Sequence, residues 1–160
     1  MRTQRNLLLL ALSFAIATCV ACATGHGRGT PRTALDVLQR HDPAVEWNAN
    51  SLIQADLDGD GVPDYALSGL GKDRVVVGLV RGPVAASSPA WMLEFPWNGG
   101  GEDALCSKQA RIAPEPLDDT ASARAGRAVK GTGINLHDDK CDAFHIFWNP
   151  EKKKFEWWRL

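Results

Sequence analysis

Nine residues, Asp56 to Asp64, place four aspartates and two glycines in a stretch that suits neither helix nor strand. Aspartate and glycine are poor formers of both elements, so the chain must turn here. The carboxylates occupy relative positions 1, 3, 5 and 9, with Gly61 at position 6. Together they carry a charge of −4, and their repulsion opens the loop unless a cation compensates. Calcium suits such a loop because it takes six to eight hard oxygen ligands in flexible geometry, whereas magnesium demands a stricter octahedron and retains water. The expected ligands are Asp56, Asp58, Asp60, the Val62 carbonyl and Asp64. Gly61 permits the sharp turn that gathers them. The plainer alternative is a solvated acidic turn paired with Lys72 or Arg74.

Strand patterns flank the loop on both sides. Ser51 to Ala55 leads in and Tyr65 to Ser68 leads out, which sets the loop in a β-hairpin. Arg74 to Val80 is apolar and β-branched on both faces, the mark of a central strand. Trp91, Leu93 and Phe95 alternate with Met92 and Glu94, as in a half-buried strand. Residues 110–117 and 132–136 are weaker strand candidates, with a polar, exposed excursion from Asp118 to Gly126 between them. Ala143 to Trp148 and Phe155 to Leu160 form a hairpin about the turn Asn149 to Lys153. Trp157 and Trp158 must point to opposite faces of its second strand. One short helix precedes all of this, capped by Thr33 with Asp36 three residues on. Leu35 and Leu38 lie on one face of it, and Asp42-Pro43 ends it. The expected fold is mainly β with one N-terminal helix, an antiparallel sheet or small sandwich.

The aspartate loop resembles the calcium loops of FG-GAP and VCBS-type repeats and of thrombospondin type 3 repeats. It departs from an EF-hand, because Pro63 replaces an aliphatic residue and Leu67 stands where a bidentate glutamate would be. The resemblance covers residues 51–69 and implies the same ligand set: Asp56, Asp58, Asp60, the Val62 carbonyl and Asp64. In the FG-GAP family the loop joins two strands of a propeller blade. A single copy cannot build a propeller, which needs about four blades or more. The family's members often belong to adhesion or carbohydrate-associated proteins, which implies a protein or glycan partner.

The N-terminus reads as an export signal over residues 1–23, with Arg2 and Arg5 before the apolar run Leu7 to Ala17. That run is too short to span a bilayer. Ala21-Cys22-Ala23 fits signal peptidase cleavage, while Cys22, or Cys19, stands where a bacterial lipoprotein carries its lipid. Residues 24–32 form a flexible tether and 33–160 a single domain. Beyond residue 23 the chain holds 16 basic residues against 19 acidic ones, which offers no electrostatic footprint for nucleic acid. A membrane would be reached only through a lipid anchor. Cys106 and Cys141 are then the only thiols, and an even pair in an exported domain is most simply a disulfide.

Other clusters carry rival readings. His137, Asp138, Asp139, Asp142 and His145 have the residue types of a metal-dependent hydrolase, but no known zinc-ligand spacing. Asn98 to Gly101 lacks the Lys-Ser or Lys-Thr and the helix of a phosphate loop, and reads as a turn. Six tryptophans suit a β-rich core, with a subset from Trp91, Trp97, Trp157 and Trp158 available as a sugar-stacking or protein-binding face. The expected function is that of an exported, periplasmic, outer-membrane or secreted, calcium-binding module without catalytic residues. The alternatives are a hydrolase using His137 and His145, or a purely structural lipoprotein.

Overall fold

The computed structural model describes residues 30–97 and 101–159. The expected export signal, Cys19, Cys22, most of the expected tether, residues 98–100 of the expected Asn98 to Gly101 turn, and Leu160 lie outside these residues.

Helix α1 runs Pro31–His41. Its cap is Thr30, not Thr33: the Thr30 hydroxyl accepts the Thr33 N–H at 3.2 Å, and proline fills the first helical position. Proline there is pre-set for helical φ and gives up an N–H that would be unpaired anyway. The helix therefore begins inside the stretch expected to be tether. It ends at Asp42, before Pro43, as the sequence implies.

Nine strands follow: β1 Glu46–Trp47, β2 Ile53–Ala55, β3 Asp64–Leu70, β4 Arg74–Val80, β5 Ala90–Pro96, β6 Arg111–Leu117, β7 Gly131–His137, β8 Phe144–Asn149 and β9 Lys154–Arg159. All strand pairs are antiparallel, and they divide into two sheets. In the first, β4 lies between β3 and β5, while β1 and β2 share the other edge of β3. The second runs β6-β7-β8-β9. The fold is mainly β, as expected, but it carries a second helix. Residues 118–126, expected to be an exposed excursion, hold α2 (Asp119–Ala125). The Asp118 carboxylate caps it by accepting the Ala121 N–H, and Gly126 closes it in the left-handed conformation.

Period-two patterning decides the layers. Val75, Val77 and Leu79 point from β4 into a core between the sheets, meeting Phe95, Ile134, Leu136, Phe144, Ile146 and Phe155. Val80, on the other face of β4, packs with Tyr65 and Leu67 beneath Ala34, Val37 and Leu38 of α1. Phe147 faces away from the sandwich core and packs with Leu117, Ala121 and Val129 under α2. The order is helix, sheet, sheet, helix. None of the six tryptophans is fully buried; each is half-buried against a core edge, so they line the rims of these cores and do not fill their centres.

Candidate metal centre

The aspartate loop joins β2 to β3, whose register pairs Ala55 with Asp64 and Ile53 with Ala66. The expected hairpin is therefore present. Leu57, second in the loop, is buried in the sandwich core and anchors the loop from below. Gly59 and Gly61 both take left-handed φ values, +79° and +83°, where a side chain would be strained.

The carboxylates organise the backbone around them. Asp56 accepts N–H groups from Gly59 at 2.8 Å, Asp60 at 3.1 Å and Gly61 at 2.9 Å. Asp58 accepts the Asp60 N–H at 3.1 Å, and Asp60 accepts the Val62 N–H at 2.8 Å. Asp64 opens β3 and is fully buried. One of its oxygens accepts the Leu57 N–H at 2.9 Å and the other the Gly82 N–H at 2.8 Å, so it ties the loop to the end of β4. Burial pushes the Asp64 carboxyl up to about 6 against those two hydrogen bonds, with Asp58 and Asp60 adding repulsion.

One oxygen each from Asp56, Asp58 and Asp64 lies within 4.8 Å of the others. The Asp58 side chain is 1% exposed, and its Oδ2 is held in an ion pair with the Arg81 guanidinium, without the geometry of a hydrogen bond. Three carboxylates this close together are a donor set able to hold a metal ion. Asp60 stands outside this trio; its 37%-exposed carboxylate turns toward Arg81. Val62 is half-buried on the stretch between them.

The cation beside the loop is Arg81, not Lys72 or Arg74. Its guanidinium is ion-paired with Asp58 and lies 3.4 Å from Asp60 and 4.7 Å from the Trp148 ring centre. Arg74 instead pairs with Asp42, Asp73 and Glu94 at the opposite end of β4. The β3–β4 register could have revealed Arg81: Tyr65 faces Val80, so the next pair outward is Asp64 and Arg81.

The second cluster divides into separate units. Asp138 is buried and accepts N–H groups from Cys106 at 2.6 Å, Lys140 at 3.0 Å and Cys141 at 3.0 Å. Burial works to raise its carboxyl, but these donors outweigh it and hold the group below the usual range. Cys106 and Cys141 are disulfide-bonded, with Cα atoms 5.9 Å apart. Asp138 thus grips both halves of the bridge, a structural role that the spacing did not disclose. His137 pairs with Asp139 at 3.0 Å, and Asp142 is exposed. His145 meets Glu115 at 3.0 Å and stacks on Trp158 at 5.0 Å. Among the described residues, only Asp56, Asp58 and Asp64 form a set of three metal-ligating groups.

His145, Glu115, Arg124 and Trp158 line a cavity of about 340 Å³ beside α2. Arg124 and Trp158 also line a second cavity of about 470 Å³, bordered by β9. No protein-family model, characterised protein or solved structure matches this chain.

Proposed function

We propose that this chain is an exported, calcium-stabilised binding module of the cell envelope and not an enzyme. The observation that carries the calcium reading is the convergence of the Asp56, Asp58 and Asp64 carboxylates, with the Asp58 side chain almost wholly buried. Asp56, Asp58 and Asp64 would hold the ion, with Asp60 and the Val62 carbonyl nearby. Calcium would add the positive charge that Arg81 alone does not supply to three crowded carboxylates. Its role is that of a staple, because Asp64 already links the loop to Gly82 beyond β4 and, among the described residues, no pair of helices flanks the loop ready to open. The likeness to FG-GAP and VCBS-type loops supports the same reading, and the disulfide is consistent with an oxidising compartment.

Calorimetry and thermal melting test the staple. Calcium at about 100 times its Kd should raise Tm by roughly 5–10 °C in the wild type. It should do nothing to the double variant Asp58→Ala, Asp60→Ala. An equal rise in both proteins would remove the loop as the site. For the partner, we favour a glycan, since Trp158 offers an aromatic surface and Arg124 a polar grip where the two cavities adjoin. Arg124→Ala should weaken binding on an oligosaccharide array without changing Tm. Binding to envelope protein but to no saccharide would favour the protein partner instead. Attachment through Cys22 is read by mass spectrometry of the mature N-terminus.

A further inference from the structure

A loop that held calcium by carboxylates alone would need no fixed positive charge beside it, yet Arg81 supplies one. Its position is built by the fold. Arg81 directly follows β4, and the next residue, Gly82, donates its N–H to Asp64 at 2.8 Å. A Cβ on Gly82 would overlap the Pro63 carbonyl, so only glycine lets this corner close upon the loop. The guanidinium faces the buried Asp58 oxygen, reaches toward Asp60, and rests 4.7 Å over Trp148 of the opposite sheet. Trp148 in turn packs edge-on to Trp91 at 5.7 Å and Phe155 at 5.0 Å, which fixes the platform under the arginine.

Resting on the calcium reading above, we propose that Arg81 is the internal counter-ion of the loop and sets its affinity for divalent metal. Without metal it neutralises Asp58 and Asp60 and keeps the loop folded against their repulsion. A divalent ion bound by Asp58 competes with it for the same carboxylate. The two cations also repel each other at close range, an interaction that stays large at the effective dielectric of a half-buried site. Arg81 therefore trades calcium affinity for a loop that holds its shape without calcium.

Calorimetric calcium binding to the mature chain, compared with Arg81→Gln and Arg81→Lys, tests this. Arg81→Gln should bind calcium on the order of tenfold more tightly, because the competing charge is gone. Its metal-free form should melt lower, so its calcium-induced rise in Tm should exceed that of the wild type. Arg81→Lys keeps the charge and should stay within about threefold of the wild-type Kd. If Arg81→Gln folds only in calcium, that dependence, absent from the wild type, supports the proposal. Unchanged or weaker calcium binding by Arg81→Gln, with the wild type binding normally, would overturn the role of Arg81 and leave the calcium site standing. A wild type that binds no calcium would overturn both.

Discussion

Asp138 shows how one buried carboxylate can organise two distant loops. It accepts from the backbone on both sides of the disulfide, at Cys106 and at Cys141. Asp138→Ala would leave those N–H groups without their acceptor, at a cost of about 2–3 kcal/mol. The expected result is a lower denaturation midpoint in urea and faster reduction of the disulfide by thiols. Glu156 works differently, through charge. Burial pushes its carboxyl up, but Lys152, Asn149 and Lys154 donate to it and bring it down to about 2. Because the folded value lies below the ordinary 4.5, its contribution is complete at neutral pH. That contribution fades as pH falls through 4.5 toward 2. Asp138, lowered in the same direction, acts likewise at the acid end. Melting temperature followed from pH 6 to 2 should therefore fall less steeply in Glu156→Gln than in the wild type.

Among the elements, β4 is the most constrained. Its inner face fills the sandwich core and its outer face receives α1. Gly78 lies on the outer face, where an added Cβ would stand 2.6 Å from Trp47 and 2.7 Å from Leu38. Gly78→Ala should cost about 1–3 kcal/mol through overpacking, read as a lower Tm with no change in calcium affinity. At the other extreme is β6, an edge strand that pairs only with β7. Pro114 and Pro116 lack N–H groups and blunt that edge against pairing with another chain. The prolines weaken its strand pattern in the sequence, yet they are tolerated because the strand lies at an edge. The second helix, α2, is too short to show an apolar period, so only its ends betray it. Asp118 at the cap and Gly126 past the last turn were the legible signals.

Across the whole molecule, the disulfide joins the segment after β5 to the β7–β8 turn and so links the two sheets covalently. The bridged cysteines are 35 residues apart, for which the chain-entropy model gives a contribution on the order of 3–4 kcal/mol. Full reduction should lower the denaturant midpoint accordingly, and double replacement of Cys106 and Cys141 by Ala should match it. Both sheets also meet at the aspartate loop. Leu57 enters the common core from the loop, and Arg81 spans from Asp58 to Trp148. If the loop binds calcium as proposed, the ion should slow hydrogen exchange in β3 and β4 first and in β8 less, a pattern that exchange mass spectrometry resolves.

Read alone, the sequence determined the hairpin around the loop, the central place of β4, the cysteine pair and the crowding of four carboxylates. Each of these is local, or follows from period and spacing. Tertiary structure decided which carboxylates converge, that Arg81 and not Lys72 or Arg74 stands beside them, and that Asp138 holds the backbone on both sides of the disulfide. The reason is physical. A charge chooses its partners by distance in space, and here those distances are set by the register of β3 on β4 and the packing of one sheet upon the other.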